Sequence, residues 1–316
     1  MLTGLRAGGY RQGPIEVLNF FRENYKDLQP IAWIDAVELF EYHRISIRSV
    51  RPRTATEDSA TLMRLAKASD NVDLHTTDLD TLRVALYDPK YSNRTQREYR
   101  DRLHSFFDWA FKENYYPTNP IKNWERPKVK KTEVIILNHK QVQKLLDNAG
   151  DMLGYFALCL FSGVRPDEAK RLEWDDVDLA NYCVWVKWGR AKTRAGRVRI
   201  SENLRAILGY CKNKSPRPGH FNRRKFNYAR GVAGILDKKI WVNDVCRHTY
   251  ASNEHERMLA EGIREVDAKA QLMEDMRTGW EMLKDNYLTQ IMRDDPKEYP
   301  YLVPECLKPM TSSVKS

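Results

Sequence analysis

The sequence has no pair of closely spaced cysteines. Its five cysteines, Cys159, Cys183, Cys211, Cys246 and Cys306, are odd in number and widely separated. That argues against a disulfide framework and against a cysteine-based zinc site, and it fits a reducing cytoplasm. No apolar run reaches the roughly 18 residues that a membrane-spanning helix needs. The opening residues, MLTGLRAGGYRQG, contain no apolar h-region. The expectation is a chain without a recognisable secretory signal and without a membrane partner. Solenoid repeats and long low-complexity tracts are also missing.

Positive charge is abundant. Lysine and arginine number 53 against 43 acidic residues, a net charge of +10. Such an excess favours a polyanionic partner, because each neutralised phosphate releases condensed counterions. A length of 316 residues, 42% of them hydrophobic, allows two domains with sizeable cores.

The first third reads as helices. Apolar residues recur at helical spacing over 15–25 and 33–40, followed by a basic stretch, 43–53. Further helices are predicted over 56–68 and over 77–86, the latter capped by Thr77 or Asp78. The clearest helix spans 95–112. Leu103, Phe106, Phe107, Ala110 and Phe111 form its predicted core stripe. Arg94, Arg97, Arg100, Arg102 and Lys112 lie opposite and could meet phosphate. Asn119-Pro120, Pro127 and the run Lys128 to Lys131 then mark a linker. Beyond it, Asn138 is predicted to cap a helix. Residues 153–162 form an apolar helix stopped by Gly163, 176–187 have strand-like content, and 197–200 read as a paired strand. From Pro216 to Met292 the pattern is helical, and the Pro-rich tail from Asp294 reads as flexible or bound to a partner. The domains expected are 1–127, a linker at 128–133, 134–293 and a tail at 294–316.

Cutting a phosphodiester without metal needs a side-chain nucleophile, fixed cations on the non-bridging oxygens, and an acid for the leaving oxygen. Arginine suits the clamp because its planar fork matches two phosphate oxygens. Arg165 stands in SGVRPDE, where one helix ends and another begins. Lys192 stands in AKTRAGR, between two strands. Arg247 opens RHTYAS, and Tyr287 closes EMLKDNYL.

These segments resemble the conserved boxes of the tyrosine recombinases, or phage integrases. LFSGVRPDEAKRLEWDDVDL resembles the first arginine box, AKTRAGRVRIS the β-hairpin lysine segment, NDVCRHTYAS the second arginine box, and WEMLKDNYL the nucleophile box. The segment YSNRTQREYRDRLHSFFDWAFKENYYPTNP resembles the family's helical core-binding domain. Four boxes in order are a strong signal. The resemblance implies a mainly α fold with a small antiparallel β-sheet: a helical SAM-like core-binding domain followed by a mixed α+β catalytic domain. It implies cutting and rejoining of double-stranded DNA through a 3′-phosphotyrosyl intermediate, with no metal, ATP or other cofactor. Arg165 and Arg247 would clamp the phosphate, Lys192 would protonate the leaving 5′ oxygen, Glu168 would brace the arginines, and Tyr287 would attack. DNA contacts are expected from Arg94, Arg97, Lys128, Lys130, Lys131 and Arg194, with affinity falling steeply with salt. The two domains would enclose duplex DNA, four protomers would assemble on it, and the location would be the cytoplasm, with the nucleoid.

The chain departs from the pattern in two places. Asp244 stands where the family has histidine three residues before the second arginine, with His248 as a possible substitute. Thr278 stands nine residues before the tyrosine, where histidine or tryptophan is usual, with Trp280 nearby. The 40-residue interval from Arg247 to Tyr287 is long, consistent with an insertion around 261–276. These departures motivate a second reading, a recombinase-fold protein that binds DNA but cuts it poorly or not at all. A metal-dependent nuclease built on Asp167 and Glu168 is disfavoured because both carboxylates share one helical turn. A zinc site on His248 and His255 lacks the usual i, i+4 pairing. A type IB topoisomerase would share the chemistry without needing a partner site.

Overall fold

A computed structural model describes residues 28–130, 133–189, 191, 194–289 and 294–308. The helix expected over 15–25, Lys131, Lys192 and the end of the predicted helical region at Met292 lie outside the described residues. The chain divides into two compact units, Met1–Lys131 and Thr132–Ser316. Among the described residues no helix is long and apolar enough to cross a membrane. The architecture is mostly helical with one small antiparallel sheet, as expected.

The first unit contains α1 (Trp33–Ser46), α2 (Pro52–Ala68), α3 (Leu79–Leu86) and α4 (Asn93–Lys112). Two of these starts follow from capping side chains. Asp78 accepts from the amides of Asp80 and Thr81, and Ser92 accepts from Thr95. Pro52 begins α2 because its fixed φ suits the first helical position. The basic stretch at 43–53 is therefore no separate element; it is the end of α1, a turn at Ser49, and the start of α2.

The core of this unit is aromatic. Trp33 stacks on Phe106 with centroids 5.0 Å apart, and its indole N–H donates to Thr77. Phe40 packs against Phe106 and Trp109. Phe111 does not join the core and is 48% exposed. Phe111 and Trp109 lie on opposite edges of the stripe of Leu103, Phe106, Phe107 and Ala110, and only the Trp109 edge is covered, by Phe40 and Tyr115.

The face of α4 opposite the core is only partly free. Arg102 and Arg44 both pair with the buried Asp58, at 2.7 and 2.8 Å, tying α1, α2 and α4 together. Arg100 donates to the carbonyls of Ile121 and Trp124. These arginines are structural here. Arg94 is exposed beside Glu98, Arg97 is half-buried, and Lys128 and Lys130 are exposed in extended chain.

The second unit is built around α6 (Leu153–Phe161), which is buried on every side, as its unbroken apolar sequence demands. Ahead of it lies α5 (His139–Asp147), whose start is a reciprocal capping box of Asn138 and Gln141. After α7 (Pro166–Ala169) come β1 (Val177–Asp178), β2 (Cys183–Val186) and β3 (Gly196–Arg199), in sheet order β1-β2-β3. The strand-like content of 176–187 forms a hairpin, β1 paired with β2. Val184 lies opposite Val198, and Trp185 opposite Arg197.

Helices α8 (Glu202–Cys211), α9 (Arg223–Val232), α10 (Val245–Ala260), α11 (Glu265–Met276) and α12 (Trp280–Asn286) complete the unit. The helical region therefore begins before Pro216, at α8, where Leu204, Ile207, Leu208 and Cys211 recur on one buried face. A second apolar cluster joins α10, α11 and α12 through Tyr250, Met258, Leu272, Met276, Leu283 and Tyr287.

The tail from Asp294 to Lys308 packs on its own unit. Asp294 accepts from the His139 amide at 2.7 Å, and the carbonyls of Leu302 and Val303 accept from Asn203 and Gln143. Tyr299 is buried against Phe161 and donates to the Leu160 carbonyl. Its aromatic surface and its hydroxyl both have native partners, which is why this stretch is held. Tyr299→Ala should therefore destabilise the second unit by about 3 kcal/mol in urea denaturation. An unchanged midpoint would show that the tail is not anchored through this residue.

Candidate active site

Three chain segments converge at the corner after α6. Gly163 ends the preceding helix with φ +60°, and Arg165 caps the short α7. A Cβ at Gly163 would sit 2.4 Å from the Met276 sulfur and 2.6 Å from the Tyr250 ring, so both the backbone and the space call for glycine. Freed of a side chain, the Gly163 carbonyl meets the Arg247 guanidinium. Arg247 donates one Nη to Gly163 and the other to the carbonyl of Met276, at the end of α11.

Arg247 is 0% exposed and its Nε has no hydrogen-bond partner. Burial disfavours its charged form, and Arg165 adds repulsion, so its pKa is pulled down to about 10. It remains a cation at neutral pH. Its guanidinium carbon lies 5.1 Å from the centroid of the Tyr287 ring.

Tyr287 follows α12 and is 9% exposed. Two hydrogen bonds fix its main chain: Ser252 Oγ donates to the Tyr287 carbonyl and accepts from the Thr289 amide, each at 3.1 Å. The His248 ring meets the Tyr287 ring edge to face, with centroids 5.2 Å apart. His248 Nδ1 lies 3.3 Å from the Ile135 carbonyl. A carbonyl carries no proton, so Nδ1–H must be the donor, which leaves Nε2 as the basic nitrogen. Burial lowers the His248 pKa, so the neutral ring is favoured.

Arg165, Arg194, Asp244, Thr278 and Tyr287 line a common cleft of about 900 Å³. Arg247 lies buried against Tyr287 and is not among the lining residues. Glu168, fully enclosed, accepts from the Arg165 amide at 3.4 Å and lies 3.5 Å from its guanidinium. Asp244 occupies a left-handed backbone position, φ +61°, at the start of α10.

Trp280 is not among the cleft residues. Its ring lies half-buried against His255, 6.0 Å between centroids, and under the Lys269 ammonium. It opens α12 with its apolar surface toward the α10–α11–α12 cluster, so packing claims it. Lys192 lies outside the described residues.

Two residues of this region escaped the sequence reading. Ser252 closes the NDVCRHTYAS segment, but its part in orienting the Tyr287 main chain is not visible from that box. Arg277 follows α11 with φ +49° and lines the cleft. It pairs with Glu168. The interval 261–276, which reads as an insertion, contains α11, and that helix delivers Arg277. Asp275, at the end of α11, accepts from Arg199 of β3 at 2.7 Å and from the Tyr250 hydroxyl at 3.2 Å, which locks the hairpin to this corner.

No family profile matches the chain. The defective protein IntQ of Escherichia coli (strain K12) is 28% identical over 108 residues, 34% of this chain. The chain thus spans only 27% of the length of that curated relative. Among solved structures, a lambda integrase tetramer bound to a Holliday junction superposes with a TM-score of 0.61 at 13% identity, covering 85% of this chain and 82% of that one. A lambda integrase dimer bound to a COC′ core site gives 0.60 at 13% identity, covering 92% and 82%. The Tn1549 transposon integrase in complex with a circular intermediate DNA gives 0.57 at 13% identity, covering 83% and 97%.

Because Gly163 aligns the carbonyl that holds Arg247, Gly163→Ala should cost about 3 kcal/mol, from backbone strain together with overpacking. Urea denaturation monitored by circular dichroism measures it. A wild-type midpoint for Gly163→Ala would refute this account of the corner.

Proposed function

We propose that this chain, which has the tyrosine recombinase fold, is a site-specific DNA recombinase that cuts and rejoins strands through Tyr287. The observation that carries the reading is the convergence of Arg165 and Tyr287 on one cleft, with Arg247 buried against the tyrosine ring. The partner is double-stranded DNA, and the assembly is a tetramer on it. Support comes from the basic excess of the chain and from the lambda integrase neighbours, which are bound to DNA as a dimer and as a tetramer.

In the step proposed, the Tyr287 phenol oxygen attacks the scissile phosphorus. A bond forms from phosphorus to that oxygen, the bond to the 5′ oxygen breaks, and the phenol proton leaves to a nearby base. Arg165 pairs with the non-bridging oxygens. Arg247 supplies positive potential beside the ring, where the phenol loses its proton. The family resemblance assigns the acid that protonates the departing 5′ oxygen to Lys192. Glu168 keeps Arg165 oriented. The reverse attack by a 5′ hydroxyl restores the phenol and a phosphodiester, so the exchange conserves bond energy. Arg194 at the cleft and Arg94, Arg97, Lys128, Lys130 and Lys131 in the first unit and linker are assigned to the DNA backbone.

Two residues are candidates for the base, one sharing the cleft with Tyr287 and one packed on its ring. Asp244 lines the cleft, but a carboxylate there repels phosphate. His248 is neutral and keeps Nε2 basic, and we assign the proton to it.

A nicked, labelled duplex carrying the target should trap a covalent adduct that vanishes in Tyr287→Phe, while DNA binding changes by less than about twofold. Binding by the wild type with no adduct would instead favour the catalytically impaired DNA-binding reading, which Asp244 at the cleft motivates. The acid limb tests the base. Because burial disfavours the imidazolium, the rate should hold below the ordinary histidine pKa and fall only at lower pH. His248→Gln should slow adduct formation by about 100-fold and remove that limb, measured in single turnovers from roughly pH 5 to 8. An unaltered limb in His248→Gln would assign the proton elsewhere.

A further inference from the structure

The geometry points to Arg277 as a phosphate-binding residue of this cleft, a guanidinium additional to Arg165 and Arg247. The inference rests on the phosphoryl-transfer reading above and extends it to a residue outside the four boxes.

Three observations carry it. Arg277 is 3% exposed, yet it lines the same cleft as Arg165 and Tyr287. Only one of its nitrogens, Nη2, has a partner, the Glu168 carboxylate; Nε and Nη1 are buried without any hydrogen-bond acceptor. Two buried donors on a cation are costly unless something meets them. The cleft also holds the carboxylates Asp244 and Glu274, but neither hydrogen-bonds to these two nitrogens. Glu168 is shared with Arg165, and Arg165 and Arg247 are themselves cations. Burial, with Arg165 adding repulsion, depresses the Arg277 pKa although Glu168 opposes the shift, so a further anion at the two unpartnered nitrogens would favour the charged form. A phosphate oxygen supplies both the acceptor and the charge.

The chain also builds this position at a cost. Arg277 holds φ +49°, a left-handed conformation that L side chains rarely adopt. Its stem runs across Gly196 of β3, where an added Cβ would lie 3.2 Å from the arginine Cδ and 3.6 Å from its Cγ. Gly196 leaves room for that stem, and Glu168 fixes its far end. A side chain placed only for packing would need neither the strained backbone nor an unmatched fork. The Arg247 guanidinium is committed to two carbonyls and is fully enclosed, whereas Arg277 keeps two free donors in a cleft-lining side chain.

Arg277→Gly tests this with little risk to the backbone, since glycine relieves the positive φ, and Arg277→Lys keeps charge without the fork. On a duplex with a normal scissile phosphate, Arg277→Gly should slow adduct formation about 100-fold, and Arg277→Lys should recover part of the loss. The same variant is then measured on a duplex carrying an uncharged methylphosphonate at the scissile position. If Arg277 compensates phosphate charge, its removal should cost less than about threefold there. An equal loss on both linkages means a purely structural role and overturns the proposal, as does no loss on either. Should the wild type form no adduct, the recombinase reading fails, and binding of inorganic phosphate decides the residue by itself. Phosphate that raises the melting temperature of the wild type but not of Arg277→Gly supports the anion site. Equal response, or none, overturns it.

Discussion

A guanidinium buried without a carboxylate organises this molecule. Arg247 donates to the carbonyls of Gly163 and Met276 and lies against the Tyr287 ring. Removing such a group from water is expensive, and main-chain dipoles repay only part of the cost. The arrangement persists because the corner after α6, the end of α11 and the tyrosine are all held by other contacts: Gly163 by its left-handed backbone, α11 by Asp275, and Tyr287 by Ser252. A cation enclosed this way projects its field into the cleft with little solvent screening.

The electrostatics of the cleft follow. Arg165, Arg247 and Arg277 stand against Glu168, Asp244 and Glu274, and Glu168 pairs with two of the arginines. With Arg194 and Arg197 also lining the cleft, positive charge is in excess where Tyr287 sits. Such a site is matched to an anion whose oxygens accept several hydrogen bonds at once. The neutral His248, tied by Nδ1 to the Ile135 carbonyl, adds a proton acceptor without adding charge.

Much of the local structure was legible in the sequence. Helix starts at Asp78 and Asn138 were visible because capping is decided within four residues. The core stripe of α4 was visible because helical periodicity is local. A short segment does not show a partner that lies far away in the chain. Arg102 looked available for phosphate until Asp58, 44 residues away, claimed it. Trp280 looked able to reach the cleft, but His255 and Lys269 hold it elsewhere. The tail at 294–308 looked unattached because its anchors, Leu160 and His139, lie far back in the chain.

The candidate site divides along the same line. The four boxes, their order and the residue types that suit phosphate chemistry are properties of short segments, and the sequence was sufficient for them. Arg277 is different. Nothing in its own segment marks an arginine that will adopt a left-handed backbone, cross a glycine in a strand, and reach a carboxylate 109 residues earlier. Its role, like the full burial of Arg247, arises only when α6, β3 and α11 pack around one point. Burial and the loss of hydrogen-bond partners are properties of that packing, and no stretch of chain encodes them by itself.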